Sequence, residues 1–155
     1  MHGLLGQSNE GEEHMFLKMK LLAETMPVRA HEGDAGIDLY SRVTKLLEQN
    51  EVAYIPLGVA VEIPNGHVGL LDPRSSLLRE RGLYGQSGRI DSPYRGELQA
   101  VVKNVSGQRT TIWKGERIYQ LIVVPLAPID GVVFTEELSD TDRGNGGFGS
   151  TGGYA

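Results

Sequence analysis

Asp91 is the side chain whose neighbours best suit it to act as a base. It lies in Gly88-Arg89-Ile90-Asp91-Ser92-Pro93-Tyr94-Arg95-Gly96-Glu97, a stretch with glycine near both ends. Pro93 pushes Ser92 out of the α region, so the stretch is not helix. Pro93-Tyr94-Arg95-Gly96 suits a tight reversal with proline in second place. The expected form is a β-hairpin tip, with Leu98 to Val102 as the returning strand. Such a tip offers backbone N–H and C=O groups to the edge of a flat base and the Tyr94 ring to a sugar. It also offers an ionised carboxylate that can take a proton from water. Taken alone, an acid that stabilises its own turn is the simpler reading.

Other stretches carry chemistry of a complementary kind. From Arg143 to Gly153, six of eleven residues are glycine. Gly144, Gly146 and Gly149 match the dinucleotide fingerprint letter for letter, but that motif needs a strand before it and a helix after it. No Lys-Ser/Thr pair makes it a P-loop. What remains is an arm able to fold over phosphates with backbone N–H groups, the Ser150 and Thr151 hydroxyls and Arg143, while Phe148 stacks on a base. Arg74-Ser75-Ser76, at the start of a short helical pattern, suits oxyanions through guanidinium, hydroxyl and helix N-terminus. Capping by either serine explains it equally well. Gln120 is an amide inside an apolar strand, able to hold a water or a neighbouring loop. His2, His14, His31 and His67 show no metal-ligand spacing.

The elements around these residues are short and numerous. The chain has 155 residues, 21 of them glycine and none cysteine, and a formal net charge of −5. That length suits one domain, and the charge argues against long nucleic acid as a partner. No disulfide is possible, and no apolar run reaches the ~20 residues of a membrane span. Strands are expected at Phe16 to Leu22, Ile37 to Ser41, Val52 to Ile55 and Val59 to Ile63 with a break at Pro56. An Asn65-Gly66 hairpin turn leads to Val68 to Leu71. Leu77 to Arg81 is the one helix, stopped by Gly82. Val101 to Val105 pairs with Thr110 to Trp113, Arg117 to Val124 is a central strand, and Gly131 to Phe134 is the last. The pattern predicts an all-β sandwich or barrel with one short helix. Residues 1–15 are expected to be a disordered leader or a cloning scar, 16–138 the β domain, and 139–155 a glycine-rich arm.

Five segments, in order and spacing, resemble the motifs of trimeric dUTP diphosphatases (dUTPases). They are Ala35-Gly36-Ile37-Asp38-Leu39, Pro73 to Ser76, Gly88 to Glu97, Gly115 to Leu121 and Arg143 to Gly152. The resemblance implies a jelly-roll-like β-barrel and a homotrimer with three sites at subunit boundaries. It implies hydrolysis of dUTP to dUMP and diphosphate, with Asp91 as general base toward the α-phosphorus, lowering dUTP and supplying dUMP for thymidylate synthesis. Tyr94 would pack under the deoxyribose. Backbone from Gly85 to Gln99, with Gly88, Arg89 and Ile90, would read uracil. Arg74, Ser75 and Ser76 would hold phosphates from a neighbouring chain, and Gln120 the water or α-phosphate. The arm would close with Phe148 over uracil and Arg143, Gly149 and Ser150 at the γ-phosphate. Mg²⁺ would come with the triphosphate and have no direct protein ligand, Asp38 touching its water shell. A cytoplasmic location follows, in the host cytoplasm if the gene belongs to a phage.

The chain departs from that family's pattern in three places. Arg89 replaces an apolar residue, Pro93 an Asp or Gly, and Tyr119 an Ala. Deoxycytidine triphosphate deaminases share the fold but need a glutamate ten residues past the motif aspartate, where this chain has Val101. A module that binds nucleotide or protein without turnover is the other alternative.

Overall fold

The computed structural model describes residues 15–146, and within them the chain forms ten strands and one helix. In order these are β1 (Lys18–Leu21), β2 (Ile37–Tyr40), β3 (Lys45–Leu47), β4 (Val52–Glu62), β5 (His67–Pro73), α1 (Ser75–Arg81), β6 (Leu83–Gln86), β7 (Gly88–Ile90), β8 (Glu97–Asn104), β9 (Thr110–Ile112) and β10 (Arg117–Pro125). One sheet runs β1-β4-β8-β6, a second runs β2-β10-β5-β7, and β3 pairs with β9. The pairings are antiparallel throughout. The expected all-β, jelly-roll-like sandwich forms, with its two main sheets open.

Strand alternation builds the core. Along β8, Leu98, Ala100, Val102 and Asn104 turn inward while Gln99 and Lys103 face out. Leu98, Ala100 and Val102 share one cluster with Leu39, Leu71, Ile118, Tyr119 and Leu121 of the second sheet and with Leu47 and Ile112 of the ribbon. Each large apolar side chain so buried is worth about 1.5–3 kcal/mol. β10 lies between β2 and β5, as its β-branched run predicts.

Several expected connections differ, and each has a physical cause. β4 does not break at Pro56; it runs through, with a register slip between Pro56 and Ala60. The Pro56 carbonyl turns away from β8 to accept the Arg42 N–H at 2.8 Å, so the missing proline N–H costs no ladder bond. Gly58, at φ 70, takes up the bulge. The Asn65-Gly66 turn closes from the His67 N–H to the Pro64 carbonyl at 3.2 Å, but only Gly66 has positive φ. It is a corner between sheets rather than a hairpin, since β4 and β5 belong to different sheets.

β8 does not pair with β9. The Asn104 side chain ends β8 by donating to the carbonyls of Leu47, Glu48 and Gln108. Its Oδ1 accepts from the Ser106 N–H and hydroxyl, and β9 is left to β3. Neither serine caps α1. Arg74 is the N-cap residue, without a side-chain cap bond, so Ser75 and Ser76 fall inside the first turn. Gly82 ends the helix at φ 61, as expected. Gly131 to Phe134 is not a strand: Val132, Val133 and Phe134 are 76%, 89% and 95% exposed and pair with none of the described strands, so the apolar run that suggested a strand has no buried face to pack.

Candidate active site

The Asp91 stretch is a bridge between sheets. β6 pairs with β8 in the first sheet as far as Gln86 opposite Val101. The chain then crosses, and β7 pairs with β5 in the second sheet. The reversal that brings it back closes from the Tyr94 N–H to the Asp91 carbonyl at 3.0 Å, so Pro93 is third in the turn, not second. The expected hairpin of β7 with β8 is thus absent, because its two arms belong to different sheets.

Side chains stiffen this reversal. Arg95 Nη1 donates to the carbonyls of Ser92 at 2.5 Å and Tyr94 at 2.9 Å. Glu97 ties it to the β4 bulge, accepting the Gly58 N–H at 2.9 Å and pairing with Arg42 at 2.9 Å. The Tyr94 ring folds over Gly96, where any Cβ would collide with it, and its hydroxyl donates to the Glu97 carbonyl at 3.2 Å.

A cavity of about 430 Å³ opens beside the reversal. It gathers Gly88, Arg89, Ile90, Asp91, Tyr94 and Gln99, all anticipated from sequence. It adds Tyr54, Leu71, Glu97, Leu98 and Val101, which were not. Glu97 and Leu98 stood in or beside the quoted stretch, but Tyr54 and Leu71 arrive only through strand pairing. Gly85 is not in this wall. It is buried on β6, where a Cβ would come within 2.5 Å of Pro73 Cβ and 2.8 Å of the Tyr119 hydroxyl.

A second cavity, of about 480 Å³, is cationic in part. Asp38, Arg74, Ser75, Arg117 and Gln120 line it, with Gly36 and His31. Asp38 is buried; its Oδ1 faces Arg74 Nε at 3.6 Å and its Oδ2 accepts from Arg117 Nη1 at 3.3 Å. The Gln120 amide fills the space a side chain at Gly36 would need. Arg117 was visible only as part of a motif. Ser76, half-buried on α1, does not reach this cavity. Arg143 is exposed, with Nε donating to the Gly146 carbonyl at 2.9 Å, and lines neither cavity. Phe148, Gly149 and Ser150 lie outside the described residues. Among the described residues, no three His, Asp or Glu side chains converge as a protein-held metal requires.

Fold and cavities together define an all-β jelly-roll-like domain with an acid-bearing cleft and a separate arginine-bearing one. The family model described as dUTPase matches residues 23–152, and the chain belongs to that family. It is 46% identical to a deoxyuridine 5'-triphosphate nucleotidohydrolase of Mycolicibacterium gilvum, over 84% of this chain and 89% of that protein. It is 39% identical to the protein of the same name from Paramecium bursaria Chlorella virus 1, over 89% and 97%. Among solved structures it resembles the Staphylococcus bacteriophage 80alpha dUTPase with dUpNHpp, at TM-score 0.81 and 36% identity over 88% of this chain and 98% of that one. A mutant dUTPase from phage phi11 of S. aureus, described as revealing how a structural Mg(II) ion is coordinated, matches at TM-score 0.76 and 31% identity over 81% and 100%.

Proposed function

We propose that this chain hydrolyses dUTP to dUMP and diphosphate. Asp91 draws a proton from the water that attacks the α-phosphorus. The new bond joins that water oxygen to the α-phosphorus. The bond that breaks runs from the α-phosphorus to the oxygen shared with the β-phosphorus, which leaves with diphosphate. A positioned base contributes roughly 10²–10⁴ in rate, and orientation and charge stabilisation of the triphosphate supply the rest. The observation that carries this reading is the convergence of Asp91, Tyr94 and residues of β7 and β8 on one cavity of about 430 Å³.

Each side chain has a part in that reading. The Tyr94 ring lies under the deoxyribose and leaves no room for a 2′-hydroxyl. Backbone at Gly88, Arg89, Ile90 and Gln99 reads the uracil edge, with Gly85 supporting it from β6. Arg74, Ser75 and Gln120, which line the arginine-bearing cavity, hold phosphate oxygens, with Ser76 next to them on α1. Residues 139–155 close as an arm, Phe148 over the base and Arg143, Gly149 and Ser150 at the γ-phosphate, against a catalytic domain of residues 16–138.

The functional unit in this reading is a homotrimer with sites shared between copies. The two cavities have no lining residue in common. A nucleotide that needs the acid of one and the arginines of the other is served by neighbouring subunits. Tyr54 and Tyr84, 70% and 54% exposed, and the bare Val132 to Phe134 segment are apolar surface fit to be covered by such neighbours.

The residues fit a magnesium ion that arrives with the triphosphate. When bound, it neutralises phosphate charge. Asp38 already faces two guanidinium groups, so its part toward the ion is through a water. No described helix is long and apolar enough to cross a membrane, and the cytoplasm, where deoxynucleotide pools turn over, is the proposed site of action.

Diphosphate release with Mg²⁺ from dUTP, dCTP, dTTP and UTP tests the proposal. Turnover confined to dUTP is expected. Ammonia release from dCTP, or binding of dUTP without turnover, overturns it.

A further inference from the structure

Tyr119 is the one departure from the family pattern that lies wholly inside the protein. It is fully buried, the largest such side chain among the described residues. It belongs to β10 of the second sheet, yet its hydroxyl reaches the first sheet, 2.8 Å from the Val101 carbonyl and 3.0 Å from the Gln86 carbonyl. Those two residues are the last register pair of β6 with β8. Beyond them the strands part: β6 leads into β7, which crosses to β5, and β8 stays in place. One hydroxyl proton is therefore shared by two carbonyls at the fork from which the Asp91 cavity opens.

The fit around that hydroxyl is close. A methyl group at Gly85 would lie 2.8 Å from it and 2.5 Å from Pro73 Cβ. Gly85 and Tyr119 are thus a matched pair, the absent side chain on β6 making room for the hydroxyl. Val101 itself lines the cavity, and Gly88, the first residue of its β7 wall, is two residues past Gln86. Tyr119 does not itself line the cavity; it reaches the cavity wall only through the Val101 carbonyl.

We infer that Tyr119 is a positioning residue for base selection: by clasping Gln86 and Val101 it sets how far β6 and β8 splay, and so the width of the slot that accepts uracil. This rests on the proposed dUTP reading. A small residue in its place leaves two inward carbonyls to find another donor, and the slot then depends on other contacts. The same clasp has no direct contact with the phosphates, so chemistry at the α-phosphorus is spared.

Tyr119→Phe removes only the hydroxyl. The expected result is a KM for dUTP raised roughly fivefold, about the value of one hydrogen bond, with kcat little changed. The ratio of kcat/KM for dUTP over dTTP should fall by a similar factor. A lowered melting temperature with KM and that ratio both unchanged makes Tyr119 a core residue only and overturns the inference. If the variant does not fold, the unsubstituted protein carrying 3-fluorotyrosine decides. Its buried ring, identified by insensitivity to a paramagnetic solvent agent, should shift when dUMP binds; a resonance blind to dUMP also overturns it. Failure of the wild-type protein to turn over dUTP defeats the underlying reading instead, and the two failures are distinguished by that first assay.

Discussion

Arg117 donates to Asp38 from the neighbouring strand, Nη1 to Oδ2 at 3.3 Å, while the other carboxylate oxygen faces Arg74. One buried acid thereby aims two arginines that start on different elements, β10 and the lead-in to α1. The arginine side chains are 33% and 45% exposed, so the pairs are partly screened and worth little to stability, about 1 kcal/mol or less. Their value lies in orientation. Asp38→Asn should lower kcat/KM for dUTP by roughly tenfold or more, about 1.4 kcal/mol of transition-state binding, with a small change in melting temperature. Steady-state diphosphate release and a thermal melt read both; full activity in the variant removes the aiming role.

Asp91→Asn keeps the shape of the reversal, because the closing bond is backbone to backbone. Turnover should drop by roughly 10²–10⁴ while dUTP still binds and the assembly persists. Single-turnover kinetics beside calorimetric binding checks this. Wild-type turnover by the variant removes Asp91 as base.

Gly96→Ala sets a methyl group against the Tyr94 ring and hydroxyl. The ring must swing away, at a cost of about 1–3 kcal/mol if it resists. Discrimination between dUTP and UTP should weaken more than dUTP turnover does, since the ring is the proposed barrier to a 2′-hydroxyl. A competition assay with UTP reads the ratio, and an unchanged ratio counts against Tyr94 as that barrier.

Burial pushes the Tyr119 phenol well above the ordinary tyrosine range, and only the protonated phenol can donate to the Val101 and Gln86 carbonyls; Tyr84 and Asp72 add to the rise. The folded protein therefore holds this proton more tightly than the unfolded chain. The stability so gained is complete below the unfolded tyrosine pKa of ~10 and is lost as pH climbs from there toward the folded value. Melting temperatures above about pH 10 should fall more steeply for the wild type than for Tyr119→Phe. Parallel curves would show that the phenol does not govern the alkaline limb.

Residues 143–155 contribute none of the described strands and no residue of the core cluster. The truncated protein should melt near the wild-type temperature and lose most dUTP turnover. An unfolded product would make the arm structural, and an active one would remove it from catalysis.

Local chemistry made much of this protein legible in one dimension. The alternation of β8, the β-branched run of β10 and the Gly82 helix stop are each decided by a residue and its near neighbours, and all were readable. So was the membership of Gly88 to Asp91, Tyr94 and Gln99 in a single cavity, because they lie within a dozen residues of chain. Partnership between distant segments was not. Short strands carry no mark of which edge they will join, so the pairing of β9 with β3 and of β7 with β5 was decided by packing between sheets. The same holds for Asp38 between two arginines and for Tyr119 across the core. Sequence dictates which side chains can ionise, donate or fill space; only the folded sheets bring the few that matter within hydrogen-bond reach, since that reach is about 3 Å and the chain between them is tens of residues long.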